Sequence, residues 1–121
     1  MRKLFTMAAV LLLAGCEAGP VPRAAMDQLE LAYIQGKAFG DQPVECVSKT
    51  VDGTPYAACR PHGAQAVAHL WLYDGDRLHA LNGPARAAYE ERLRGKPGLG
   101  LLPLEAAAAT DTAAVFNAFT R

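Results

Sequence analysis

The sequence lacks most of the patterns by which a small enzyme is recognised. Its only serine is Ser48, so a catalytic serine has little support. The one strand-turn-helix pattern, residues 81–84, holds a single glycine followed by a proline, and proline has no N–H to offer a phosphate. No His-x-Glu pair and no carboxylate pair occurs at a telling spacing. We therefore predict that the protein is not an enzyme and that it holds no cofactor.

An excess of charge of one sign is also absent. The chain has 12 basic and 12 acidic residues and a formal net charge of +0. Nucleic-acid binding needs a concentrated basic face, so we expect no nucleic-acid partner. The length of 121 residues is enough for one small domain and not for two.

Long apolar runs are missing as well. The longest run, Leu4 to Leu13, is about half as long as the roughly 20 residues that a membrane-spanning helix needs. It follows two basic residues, Arg2 and Lys3, and leads into small residues. A short basic start, an apolar stretch and a small-residue exit predict a secretory signal peptide.

The exit of this segment reads Leu13-Ala14-Gly15-Cys16, which resembles the lipobox of bacterial lipoproteins. The resemblance implies that the Cys16 thiol receives a diacylglycerol, that the signal is cut just before it, and that the freed amine is acylated. Two or three acyl chains anchor a soluble domain stably to a membrane. In Gram-negative lipoproteins an Asp after the cysteine favours the inner membrane, whereas this chain has Glu17. We therefore expect a lipid-anchored protein of the cell envelope, with the outer membrane favoured and the domain facing the periplasm.

Two other interpretations of this segment stay open. It could be an ordinary signal peptide, with Cys16 as a free or paired thiol, or the apolar N-terminal helix of a cytosolic protein. In the lipoprotein interpretation, residues 1–15 are the cleaved signal and residues 16–21 are the lipidated cysteine with a short tether. Residues 22–121 then form a single small α+β domain.

Cysteine is scarce, with three residues in the chain. If Cys16 is lipidated, only Cys46 and Cys59 remain. An Asp-Gly pair at residues 52–53 lies midway between them and predicts a two-residue hairpin loop. In that register Cys46 lies opposite Cys59 at a non-hydrogen-bonded site, where the Cβ atoms approach closely. We predict a structural disulfide there. A redox pair is the alternative, but redox dithiols usually have Cys-x-x-Cys spacing.

Four further residues fit the same hairpin register. Glu45 would lie opposite Arg60, which makes a cross-strand pair of opposite charges. Pro55 and Pro61 would fall at non-hydrogen-bonded sites, where a missing N–H costs no bond to the paired strand.

The remaining pattern predicts a helix, two hairpins and two more helices. Consecutive hairpins tend to join into one antiparallel sheet. We therefore predict an α+β fold with an antiparallel sheet of about four strands and with helices on one face. The elements outside the first hairpin are a helix over 22–35, strands over 66–73 and 77–81, a helix from Pro84 to a stop at Gly95, a loop over 95–103, and a last helix from 110 or 111.

The second hairpin has two competing registers. A two-residue loop would place leucines opposite polar side chains. A three-residue loop pairs Leu72 with Leu78 and Leu70 with Ala80, and we prefer it because register follows the apolar match. The uniformly apolar side made by these four residues should then carry the helices.

The opposite side of that hairpin is the only candidate binding face. Its aromatic and charged residues are typical of interaction surfaces, so we predict a binding module that contacts an envelope protein or a cell-wall component. A small ligand- or metal-binding protein is the alternative, with His62 as a possible third histidine, but two histidines alone hold a metal weakly and we predict no metal. The face consists of His69, Trp71, Tyr73, Arg77 and His79.

Overall fold

The structure is a computed structural model that describes residues 19–63 and 67–120. The predicted signal segment and Cys16 lie outside the described residues. Along the chain the elements are α1 (Arg23–Gly36), β1 (Val44–Val51), β2 (Thr54–Pro61), β3 (His69–Tyr73), β4 (Leu78–Ala80), α2 (Gly83–Ala88) continued by one π-helical turn (Tyr89–Leu93), β5 (Leu99–Leu101), α3 (Leu104–Ala109) and α4 (Thr112–Phe119).

The first hairpin has the predicted register. Asp52 and Gly53 form its two-residue loop, and both have positive φ, 50° and 81°, as a mirror-image hairpin turn requires. Cys46 pairs with Cys59 across the strands, their Cα atoms are 4.1 Å apart, and the two sulfur atoms are bonded. The predicted disulfide is therefore confirmed, as is the pairing of Glu45 with the residue opposite it.

The sheet has five strands in the order β1-β2-β3-β4-β5. The first four pair antiparallel, so the α+β class and the predicted meander are confirmed. The fifth strand was predicted as loop and pairs parallel to β4. The three residues of β5 are too few to show the alternating pattern of a strand in the sequence. The strand forms because β4 offers backbone hydrogen bonds beside it, such as Leu78 N–H to Gly98 O, 2.8 Å.

The second hairpin differs from both registers considered from the sequence. Tyr73 pairs with Leu78 and Leu72 pairs with His79, so four residues form the loop. The predicted pairing of Leu72 with Leu78 is wrong by one position. A shift of one residue moves every side chain of β4 to the other face of the sheet.

The Asp74 side chain explains the longer loop. Its Oδ1 accepts hydrogen bonds from the backbone N–H of Asp76, 2.8 Å, and of Arg77, 2.7 Å. The backbone N–H of Asp74 also donates to the Arg77 carbonyl oxygen, 3.1 Å. An aspartate that bonds the backbone two and three residues ahead fixes a turn by itself, and here this local chemistry outweighs the apolar match between the strands.

Helices cover both faces of the sheet, which corrects the prediction of one covered face. One buried cluster joins the inner side of α1 to Trp71 and Leu78, with Leu93 of the π-helical turn. The other joins α4, through Val115 and Phe119, to the opposite side of the strands. We refer to these as the α1 face and the α4 face.

The packed part of the chain begins slightly before the predicted boundary at residue 22. Val21 is buried in the α1-face cluster. Val21 was predicted as the last residue of a tether over 16–21, and in the structure it belongs to the core.

Candidate functional site

Trp71 is fully buried on the α1 face, so the prediction that its side of the sheet is open is wrong. Its strand neighbours are Ala57 on β2 and Ala80 on β4. Two alanines leave room for the indole ring, and Tyr33 of α1 packs against its edge, with ring centroids 6.1 Å apart. The register of the second hairpin decides this, because it places Trp71 opposite a small residue and not opposite a histidine.

The indole is the first member of a buried polar chain. Trp71 Nε1–H donates to the Tyr33 hydroxyl, 2.9 Å, and that hydroxyl lies 2.9 Å from His69 Nδ1. Among the described residues Nδ1 is the only acceptor bonded to this hydroxyl, so we assign the hydroxyl hydrogen to the bond with Nδ1 and the ring proton to Nε2. Phe39 packs against His69, with the two ring centroids 4.8 Å apart. We call these four residues the His–Tyr–Trp cluster.

The cluster is uncharged at neutral pH. Burial lowers the pKa of His69 from 6.5 to about 4. Burial raises the pKa of the Tyr33 hydroxyl well above its ordinary value, and the hydrogen bond with Trp71 offsets only part of that rise. His69 is partly buried, and its neutral imidazole has Nδ1 satisfied by a phenol, so we interpret the cluster as a structural feature.

His79 lies on the α4 face and not beside His69, because it pairs with Leu72. Its Nε2 is 2.7 Å from Asp74 Oδ2, so it helps to hold the β3–β4 turn. The backbone N–H of Arg77 and the imidazole of His79 lower the pKa of Asp74 to about 2. The other ring nitrogen, Nδ1, is buried and has no hydrogen-bond partner among the described residues, and a Cβ added at Gly100 would lie 3.5 Å from it.

The two histidines therefore cannot share a metal ion. Within residues 19–63 and 67–120, no group of three histidine, cysteine or acidic side chains is placed to hold one. The third histidine, His62, is exposed, and its Nδ1 lies 3.6 Å from Glu45 Oε1. The predicted His/Trp face, on which the ligand- or metal-binding alternative was based, is therefore not one surface.

The other two residues of the predicted face also have structural surroundings. Tyr73 is partly buried at the margin of the α1-face cluster. The Arg77 guanidinium donates to the Leu99 carbonyl oxygen and so links the β3–β4 turn to β5. The predicted face is thus divided between a core cluster and a turn.

A different surface remains available for binding. Strand β1 lies at the outer edge of the sheet, and its Val47 side chain is 46% exposed between exposed Glu45 and Lys49. On the adjacent helix α1, Leu31 is 51% exposed and Ile34 is 58% exposed. This surface was not predicted, although Leu31 and Ile34 lie outside the helical stripe that places Leu29 and Tyr33 in the core, and that position was a signal for it. We call it the β1 edge.

Comparisons with known proteins do not assign the chain to a family. No family model matches the chain, and no curated protein or solved structure matches it either. In the part of the chain that the structure describes, no helix has the length and apolarity needed to cross a membrane. The fold and site define an α+β domain with a five-stranded mixed sheet, a buried polar cluster on one face and an open strand edge.

Proposed function

We propose that the protein is a lipid-anchored envelope protein whose domain is a non-catalytic binding module. The observation that carries the first part is the Leu13-Ala14-Gly15-Cys16 exit behind a short basic and apolar start. The Cys46–Cys59 disulfide supports it, because disulfides persist in exported proteins and are rare in the cytosol. The outer membrane is favoured by Glu17, and the domain faces the periplasm.

The non-catalytic part of the proposal is supported by the surroundings of the chemically capable side chains. His69 is satisfied within the His–Tyr–Trp cluster, and His79 is engaged with the turn aspartate. A general acid or base must be within hydrogen-bond reach of its substrate. His69 Nδ1 already accepts from the Tyr33 hydroxyl, so it is not available for that role. The partners we propose are the membrane, through the lipid, and an envelope protein or cell-wall component, with no nucleic acid.

The lipid anchor is tested by replacing Cys16 with Ser in the full chain. The variant should leave the membrane fraction or accumulate as an uncleaved precursor without lipid, because serine cannot accept the thioether-linked diacylglycerol. The matched control is the double change Cys46→Ser and Cys59→Ser, which should stay with the membranes. Normal processing and membrane fractionation of the Cys16→Ser variant would refute the anchor.

Sorting is tested separately at Glu17. The resemblance to Gram-negative lipoproteins implies that Glu17→Asp shifts the protein toward the inner membrane, while Glu17→Gln leaves its distribution unchanged. Separation of the two membranes on a sucrose gradient measures this. An unchanged distribution of the Glu17→Asp variant would remove the preference for the outer membrane and leave the anchor itself in place.

A further inference from the structure

Strand β1 carries a row of backbone groups directed away from the sheet. The residues that flank the Asp52-Gly53 loop exchange hydrogen bonds, and bonded and non-bonded pairs then alternate along the hairpin. The residues of β1 at non-bonded sites therefore direct their N–H and C=O groups outward. They are Val44, Cys46, Ser48 and Thr50.

Only one outward donor on this edge has a side-chain partner among the described residues. Glu30 Oε2 accepts from the Cys46 backbone N–H at 3.2 Å. The opposite edge is different, because β5 has only three residues and the Arg77 guanidinium binds its Leu99 carbonyl oxygen. Edges that are short or capped resist pairing, and a long exposed edge is a template for another strand. Within residues 19–63 and 67–120, no further strand pairs with the outer side of the eight-residue β1, so it is the open edge of the described sheet.

The exposed side chains of β1 are complementary to a second copy of themselves. Glu45 and Lys49 lie two residues before and two residues after Val47, and all three are exposed. In an antiparallel pair related by a two-fold axis at Val47, Glu45 of each copy faces Lys49 of the other copy. We propose that the β1 edge binds a second copy of this chain in that register, so that the two sheets become continuous.

The backbone fits this register as well as the charges do. Val47 faces Val47 of the second copy at a non-hydrogen-bonded site, where opposite side chains approach most closely. The outward groups of Cys46 then exchange hydrogen bonds with those of Ser48 in the second copy. The Cys46 N–H leaves Glu30 for a backbone carbonyl, so no donor is lost. The interface is isologous, as two-fold dimers require.

Apolar side chains next to the edge would be covered by the same contact. Ile34 lies one helical turn after Glu30, whose carboxylate reaches the edge, so it flanks the edge on α1. Leu31 lies further round the same exposed side of the helix. Two half-exposed aliphatic side chains beside an open strand extend the interface beyond the backbone ladder.

The test uses two charge reversals in the full chain, with two different affinity tags after Arg121 and solubilisation in a mild detergent. E45K makes a β1 with lysine at both positions, and K49E makes one with glutamate at both. Wild-type copies should capture each other. Each variant should capture itself roughly ten-fold less well, because two charge pairs become repulsive. Co-expressed E45K and K49E should capture each other as well as wild-type copies do.

Recovery in the mixed pair also shows that both variants are folded. Each loses an internal contact, since Glu45 lies opposite Arg60 and Lys49 Nζ donates to the Ala118 carbonyl oxygen at 2.7 Å. Equal capture in all combinations, or no capture between wild-type copies, would overturn the proposal.

A second variant tests the position of the axis. Val47→Cys should form an intermolecular disulfide in the oxidising envelope, since residue 47 faces its own copy. The matched control is Leu104→Cys, which is 72% exposed and lies on α3, outside the edge. Non-reducing gels should show a dimer for Val47→Cys only. A monomeric Val47→Cys, or equal cross-linking of the control, would contradict this register.

Discussion

At the scale of single residues, Tyr33 shows what a sequence pattern can and cannot predict. Its helical spacing with Leu29 predicts that it faces the core, and it does. Its hydroxyl role could not be predicted, because that role depends on β3 lying beneath α1 in one register. The Tyr33 hydroxyl accepts from Trp71 and donates to His69, so one atom satisfies a buried indole and a partly buried imidazole. The polar character of His69 predicted an exposed side chain, whereas a hydrogen-bond partner on another element allows its partial burial.

Tyr33→Phe should lower the free energy of unfolding by roughly 1–3 kcal/mol, because the Trp71 Nε1–H loses its acceptor in a buried site. The control is Tyr89→Phe, since the Tyr89 hydroxyl makes no hydrogen bond within the described residues. Urea unfolding followed by the fluorescence of Trp71, the chain's single tryptophan, measures both. Equal stability of the two variants would contradict the bonding of the cluster.

Acid should weaken the fold through His69. Its pKa is about 4 in the folded protein and has the ordinary value 6.5 when exposed, so the unfolded chain binds the proton more tightly. The stability that neutral His69 contributes is fully present above pH 6.5 and is lost as the pH falls toward 4. His69→Gln, which keeps an acceptor for Tyr33, should flatten the melting temperature over this window.

The control for this pH effect is His62→Gln, because His62 is exposed. That variant should lose stability between pH 6.5 and 4 as the wild type does. The window is separate from that of Asp74, whose pKa of about 2 makes its contribution disappear only below pH 4. A fall of the same size in His69→Gln would assign the effect to another group.

At the level of elements, both hairpins were predicted, but only the first has the predicted register. The Asp52-Gly53 loop has one favoured length, and the disulfide partners and charge pair agree with it. The second loop also contains Asp-Gly, but Asp74 captures two backbone N–H groups and extends the loop to four residues. The Asp-Gly turn was therefore enough to predict the first register. The hydrogen bonds of the Asp74 side chain were not considered, and they changed the second.

The disulfide should contribute measurably to the stability of this hairpin and of the domain. Replacing both Cys46 and Cys59 with Ala should lower the free energy of unfolding by roughly 3 kcal/mol, because the closed loop no longer restricts the unfolded chain. Circular dichroism should keep its outline, since neither strand depends on the bond for its ladder. Thiol alkylation of the wild type without reductant should label neither cysteine. Labelling of both would remove the disulfide from the description of the native protein.

At the scale of the whole molecule, the sequence predicted the α+β class and the order of the first four strands. It missed β5, which has no period of its own, and it placed helices on one face where they cover two. The binding face was misplaced for the same reason. A sheet covered on both sides offers its edges, and β1 is the longer and less capped of the two edges described.

We propose that this domain is exported and anchored by lipid at Cys16, and the Cys46–Cys59 disulfide joins its first two strands. Mass spectrometry of the protein isolated from cell membranes, without reductant, tests both features in one measurement. We predict a mature chain that begins at Cys16, carries a diacylglycerol and further acylation there, and yields a disulfide-linked peptide pair from Cys46 and Cys59. An uncleaved chain, or a mature chain that begins elsewhere without lipid, would contradict the claim.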